Sequence, residues 1–189
     1  RVTAVDGNRL IVEYGDRKKD FDLTDPQLKY HFRTVAPPAV DVHALKGSAL
    51  TSLDVGENGI RAEGAIALAK AARWSTLTTL GIGDNTIGAA GAAAIAMLLS
   101  RSGAMTSLNI RSNSIGDSGA VALAAAMRSY RGLLELDVAD NHISFRGARE
   151  LGAALSLGVV RTLNLGGNAI GVRGVRAVGT AMARCGSVT

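Results

Sequence analysis

The chain has few of the residues on which several classes of protein depend. Its single cysteine, Cys185, excludes a disulfide framework and a cysteine-based zinc site. Aromatic residues make up only 4% of the composition, which argues against a carbohydrate platform and a base-stacking surface. The sequence has no apolar run of about 20 residues, so it predicts no membrane-spanning helix. Hydrophobic residues nevertheless make up 47% of the 189 positions, and this excludes a disordered chain.

The dominant feature of the sequence is an internal repeat. Five segments align, and the first of them reads LTSLDVGENGI. Each segment contains an asparagine, and successive asparagines are separated by 27 or 28 residues. An isoleucine comes two residues after each asparagine, and a glycine comes six residues after it. We predict that these asparagines form a structural ladder of Asn58, Asn85, Asn113, Asn141 and Asn168.

Each repeat unit joins a strand pattern to a helix pattern. The L-x-x-L-x-L stretch alternates apolar and other residues, as does a strand with one buried face. The asparagine that follows can bond the backbone of a tight turn. Alanine-rich segments such as 65–72 then place apolar residues on one broad helical face. No unit can cover its own apolar side, so the units must stack into an α/β solenoid, with parallel strands inside and helices outside.

The pattern L-x-x-L-x-L-x-x-N-x-I-x3-G-A resembles the ribonuclease-inhibitor-like class of leucine-rich repeats. This class includes ribonuclease inhibitors, the Ran GTPase-activating protein and the repeat regions of NOD-like receptors. The resemblance covers about 44–189 and implies a leucine-rich-repeat solenoid of about five repeats. The sequence departs from the pattern at Met105 and Val160, which replace leading leucines, and at Ser144-Phe145-Arg146. It also lacks the many cysteines of ribonuclease inhibitors.

Residues 1–43 do not follow the repeat. Turn residues at 6–8 and 15–17 separate three expected strands, and the stretch V-x-x-V-D-G-N-x-L-x-V-x-Y-G-D resembles part of a Tudor-like or SH3-like barrel. We therefore expect a partial β-meander over 1–36 and the solenoid over 37–189. Three strands are too few for such a barrel, so we expect the chain to be part of a longer protein. The Tudor resemblance implies an aromatic cage, the alternative being a hairpin core, with the candidates Tyr14, Phe21, Tyr30 and Phe32.

The charges of the two parts differ. Residues 1–43 carry seven basic and seven acidic residues, whereas 44–189 carry fourteen basic and nine acidic ones. The basic excess falls on predicted helices, while the charged residues at outward strand positions are mainly acidic. We therefore expect the concave strand face to bind a protein partner with a basic surface, the alternative being that these charges only solvate the sheet. The partner-binding candidates are Asp54, Glu57, Asp84, Asn109, Arg111, Glu135, Asp137 and Asp140.

Other signals suggest chemistry, but the repeat explains them better. The segment Gly116-Asp117-Ser118-Gly119 resembles the nucleophile segment of chymotrypsin-like serine proteases, yet its glycines recur in other units. The glycines of 81–88 and 165–171 match neither of the nucleotide-loop patterns, G-x-G-x-x-G and G-x-x-x-x-G-K-S/T. The three histidines lack metal-ligand spacing. We therefore predict no catalytic residue, no metal and no cofactor.

Three functions compete. The leading hypothesis is a non-enzymatic protein-interaction module, a scaffold or adaptor, in the cytoplasm, because cysteine usage suits a reducing compartment. A second is a structural subunit of a large multi-protein assembly. A third, implied by the resemblance to the Ran GTPase-activating protein, is a GTPase activator that uses Arg111. Nucleic-acid binding is not predicted, because no nucleic-acid motif accompanies the basic residues.

The assembly hypothesis follows from the last predicted helix, at about 172–184. Terminal repeats need a polar cap, and only a few residues of this sequence come after that helix. We therefore expect an open apolar end that more chain or another subunit covers, formed by Leu163, Leu165, Ile170, Val175 and Val178.

Overall fold

The structure is a computed structural model, and it describes residues 2–5, 9–14, 17–22, 51–72, 76–156 and 160–185. Its first three strands are β1 (Val2–Val5), β2 (Arg9–Tyr14) and β3 (Arg17–Asp22). They form an antiparallel sheet in the order β1-β2-β3, so the predicted meander is present. Its relation to Tudor-like or SH3-like barrels and the boundary between 36 and 37 stay predictions.

The remaining elements alternate strand and helix. They are β4 (Ser52–Asp54), α1 (Arg61–Ala72), β5 (Thr79–Gly81), α2 (Gly88–Arg101), β6 (Ser107–Asn109), α3 (Gly116–Ser129), β7 (Glu135–Asp137), α4 (Phe145–Leu155), β8 (Thr162–Asn164) and α5 (Gly171–Cys185). The five strands form one parallel sheet in chain order, and each of the helices α1 to α4 returns the chain to the start of the next strand. The predicted α/β solenoid is confirmed.

Leucines at the centre of each strand form the spine of the solenoid. Leu80 pairs with Leu108, and Leu108 with Leu136, as adjacent rungs of the sheet. These three side chains are at most 1% exposed, because they lie on the side of the sheet that the helices cover. Full burial of each leucine contributes about 1.5–3 kcal/mol relative to an exposed one, so the spine is a large part of what holds the units in register.

The helices stack closely through an alanine of one unit and a glycine of the next. A Cβ atom on Gly119 would lie 2.9 Å from the Cβ of Ala92, and one on Gly147 would lie 2.9 Å from the Cβ of Ala120. Both alanines are fully buried. The glycine near each helix start is therefore required for the close approach of successive helices, as its place in the repeat predicts.

Some of the predictions lie outside the described residues. Tyr30, Phe32, His31 and His43 are among them, and the structure describes only the backbone at Tyr14, Phe21 and Cys185. Among the helices in the part of the chain that the structure describes, none is long and apolar enough to cross a membrane.

Candidate functional site

The ladder asparagines hold the turn that follows each strand. The side-chain amide of Asn113 donates to the carbonyl oxygens of Ile110 and Arg111 in its own unit, at 3.1 and 2.8 Å, and to that of Ile82 in the preceding unit, at 2.9 Å. Its Oδ1 accepts from the backbone N–H of Asn85 at 3.1 Å. Asn113 is completely buried. Its bonds therefore satisfy backbone groups that water cannot reach, and they fix one unit to the next.

The residue before each ladder asparagine adopts a left-handed backbone. The φ angles of Glu57, Asp84 and Asp140 are 59°, 56° and 53°, and Ser112 at the same place has 52°. Asp and Asn tolerate this conformation better than most other residues. Two of the predicted contact residues, Asp84 and Asp140, thus have a structural reason for their identity, while their side chains stay 45% and 49% exposed.

A second set of predicted contact residues closes the turn at the strand ends. Oδ1 of Asp54 accepts from the N–H of Gly56 at 3.0 Å, Oδ1 of Asn109 from that of Arg111 at 3.1 Å, and Oδ1 of Asp137 from that of Ala139 at 2.9 Å. Sequence reasoning missed Asn164, whose Oδ1 accepts the same bond from the N–H of Gly166. Its place in the repeat is the signal that finds it.

The structure brings three of the candidates into one charged cluster. The guanidinium of Arg111 lies 3.3 Å from Oδ2 of Asp140 and 4.0 Å from Oδ2 of Asp84. These groups come from three successive units and are about half exposed. Exposed ion pairs of this kind contribute about 0–1 kcal/mol, so they hold the side chains only weakly. Because the side chains are about half exposed, the two carboxylates and the guanidinium are accessible for contact.

The acidic side chains of β7 lie beside this cluster. Glu135 accepts from the hydroxyl of Ser107 at 3.1 Å, and Oδ2 of Asp137 accepts from the side-chain amide of Asn164 at 3.1 Å. Asp137 stands next to Asn109 in the sheet register. The candidates on 84–140 therefore share one continuous surface, which we call the strand face, and Asp54 and Glu57 stand at its first described unit.

The protease-like segment has a structural role. Oδ1 of Asp117 accepts from the backbone N–H groups of Ser144 and Gly147, at 2.8 and 2.9 Å, so the carboxylate joins the start of α3 to the start of α4. Burial raises the pKa of Asp117. The two backbone bonds, the bond from the Ser144 hydroxyl and the charge of Arg146 together lower that pKa by more, so it lies below its ordinary value. His142 lies in an exposed turn with φ 57°.

The described residues hold no group of three or more His, Cys, Asp or Glu side chains that could hold a metal ion. At the last unit, Val175 is 61% exposed and Val178 is buried, while Leu163, Leu165 and Ile170 are half-buried. Among the residues of the predicted open end, Val175 is therefore exposed and Val178 is not, and what covers this end stays a prediction.

Comparisons with known proteins agree with this fold. Two of the solved structures with a similar fold are a leiomodin and a tropomodulin domain. The structure of Leiomodin-1 Actin-Binding Site 2 has a TM-score of 0.67 and 23% identity, and the match covers 79% of this chain and 91% of that one. The tropomodulin C-terminal domain from Caenorhabditis elegans has a TM-score of 0.64 and 14% identity, and the match covers 77% of this chain and 93% of that one. A comparison with curated proteins finds no match. The Leucine Rich repeat family matches 49–69, 75–96, 105–124, 133–152 and 159–179, more than half of the chain. The chain therefore belongs to the leucine-rich repeat family.

Proposed function

We propose that this chain is a non-enzymatic protein-interaction module that binds a partner protein through its strand face. The observation that carries the proposal is the row of exposed charged side chains on parallel rungs, centred on Asp84, Arg111 and Asp140. Their backbone is fixed by the buried asparagines, so the partner meets a preorganised surface and little conformational entropy is lost on binding.

The charge of the strand face favours a basic partner. Among the described candidates on this face, the acidic side chains outnumber the basic one, Arg111. An acidic surface attracts positively charged patches and raises the rate of their association. The acidic candidates are Asp54, Glu57, Asp84, Glu135, Asp137 and Asp140.

The similar structures support a choice of first probe. The leiomodin-1 structure is that of an actin-binding site, so actin is a defined protein with which to begin. We also propose the ribonuclease-inhibitor-like class for the repeats, on the period of 27 or 28 residues with one helix per unit. A cytoplasmic setting is proposed on the single cysteine. A GTPase activator has less support, because two carboxylates hold Arg111.

Isosteric neutralisation tests the strand face without disturbing the fold. Asp84→Asn and Asp140→Asn keep a residue that tolerates the left-handed turn, and Asp137→Asn keeps the turn acceptor. We combine these three changes with Glu135→Gln and measure binding to purified actin and to proteins that cross-link to the chain in cell extract. We expect affinity for the strand-face partner to fall at least about tenfold.

The matched control for this experiment is Glu63→Gln, an exposed acidic residue in the first turn of α1. It removes a charge from the helical side, and binding should stay unchanged. Binding that survives the four neutralising changes, or that falls equally in the control, would show that the strand face is not the contact surface.

A second candidate function is a structural subunit that contacts its neighbour through the last unit. Val172 and Val175 are 77% and 61% exposed on α5, whereas Ala148, which has the place of Val175 in α4, is fully buried. If this end joins a second copy or another subunit, Val175→Lys should weaken that association, and light scattering of the chain measures self-association directly. A chain that stays monomeric at high concentration and binds no subunit through α5 would contradict this candidate.

A further inference from the structure

A groove of about 290 Å³ lies between α1 and α2, on the helical side of the solenoid. Its apolar lining includes Ile66, Ala93, Ala94 and Met97. A volume of this size accommodates a few apolar side chains and is at the lower limit for a small-molecule site. The groove therefore suits the side chains of another protein.

The fold does not require this groove to be open. Arg149 and Glu150 of α4 have the places that Ala93 and Ala94 have in α2, counted from the helix glycine. Glu150 lies 3.0 Å from the guanidinium of Arg128 on α3 and 2.9 Å from that of Arg149. The hydrogen bonds from Arg149 and Arg128 hold the pKa of Glu150 below its ordinary value. The surface between α3 and α4 therefore has ion pairs. The corresponding surface between α1 and α2 has alanines and stays apolar.

Met97 adds an exposed apolar side chain to the groove. It is 54% exposed, whereas Ala125 and Ala153 have the same place in α3 and α4. An alanine would satisfy the helix equally well at that place. A methionine is flexible and polarizable, and such side chains adapt to the apolar surface of a partner.

The rim of the groove is positively charged. Lys70 and Arg101 line it from the last turns of α1 and α2, both are exposed, and none of the lining residues is acidic. Cations at these places complement the negative ends of the helix dipoles, which explains their sign but not their position on an apolar groove. The rim attracts carboxylates to the end of the groove where the apolar lining stops.

We propose that this groove docks an amphipathic α-helix of a partner protein, whose apolar side chains enter the groove and whose acidic side chains pair with Lys70 and Arg101. The groove between two neighbouring helices accepts the side-chain ridge of a third, and recognition of this type uses apolar anchors spaced by three or four residues. The surface lies on the side opposite to the strand face, so the proposal does not depend on the function proposed above.

A peptide display library tests the proposal on the full chain. The library presents amphipathic helices of about 18 residues, with randomised apolar anchors and with Glu or Lys beside them. Binders are selected against the wild-type chain, and their affinities are then measured for two variants. The pair Ala93→Arg and Ala94→Glu copies the α4 residues and closes the groove, and the pair Lys70→Glu and Arg101→Glu reverses the rim.

We expect the selected helices to be acidic and to bind each variant at least about tenfold more weakly than the wild type. The control pair Arg173→Glu and Arg176→Glu reverses two exposed charges on α5 and should leave affinity unchanged. Thermal unfolding checks that each variant is folded. Failure to select any helix, selection of basic helices, or full binding to the closed variant overturns the proposal. Self-association that the closed variant abolishes also overturns it, because the occupant is then a second copy.

Discussion

The side chain of Asp117 accepts a 2.6 Å hydrogen bond from the hydroxyl of Ser144, which lies 27 residues further along the chain. The same hydroxyl oxygen accepts from the N–H of Arg146 at 3.2 Å, as an N-cap does. Ser144 stands where the preceding and following units have a glycine with positive φ, and its own φ is −94°. The departure from the repeat at Ser144 is therefore compensated by Asp117.

Asp117→Ala should lower the free energy of unfolding by about 1–2 kcal/mol, because it removes the acceptor of three hydrogen bonds at the start of α4. Urea unfolding followed by circular dichroism measures the change. Ser118→Ala, at an exposed neighbouring position, should change stability by less than about 0.5 kcal/mol. Equal effects of the two substitutions would contradict the role of Asp117.

The stability conferred by Asp117 should depend on pH. Its folded-state pKa lies below the ordinary value of 3.8, so the contribution is fully present above that value and is lost as the pH falls through the folded pKa. The stability difference between the wild type and Asp117→Asn should therefore be largest near neutral pH and should shrink as the pH falls below 3.8 and through the folded pKa. A difference that is constant from neutral to acid pH would show that the carboxylate charge is not involved.

Asn113→Ala should destabilise the solenoid by at least about 3 kcal/mol, because several buried backbone groups lose their partner at once. Asn168→Ala makes the same change where the side chain is half-buried and water can replace some of the bonds. We expect it to cost about 1–2 kcal/mol. Calorimetric unfolding of both variants makes the comparison, and the reverse order would be inconsistent with a buried ladder.

Gly119→Ala should cost about 1–3 kcal/mol, because the new methyl group would lie 2.9 Å from the Cβ of Ala92 and 2.6 Å from that of Ile115. Gly103→Ala is the control, since a Cβ there has nothing within 4 Å. Adding Ala92→Gly to Gly119→Ala should recover part of the loss, which a double-mutant cycle of unfolding free energies detects. Strict additivity would contradict a direct contact between the side chains at positions 92 and 119.

The repeat made most of the fold predictable. A recurring Leu-x-Leu and Asn specify a strand and its turn, and the stacking of Leu80, Leu108 and Leu136 follows because each unit must cover the next. The close approach at Gly119 was predictable for the same reason. What the period determines is the backbone geometry that the units share, from which the backbone at Ser144 departs.

The individual side chains were less predictable, because a repeat does not specify its exceptions. The sequence places Asp84, Arg111 and Asp140 at outward positions. It does not specify the side-chain angles that bring the Arg111 guanidinium between the two carboxylates. The outward positions of Asp54 and Asp137 predicted either partner contact or solvation of the sheet, and not the turn bonds that these side chains accept. The groove at Ala93 and Ala94 depends on how α1 and α2 pack together, which the repeat does not specify.

Val175 sets a distance for whatever packs against α5. In the preceding units the residue at its place is alanine, as in Ala120 and Ala148, and each alanine touches the glycine of the following helix. Two additional methyl groups make that spacing unattainable beside α5. A neighbouring element must therefore stand further away than one helix of this solenoid does from another, or must offer a recess that receives the valine.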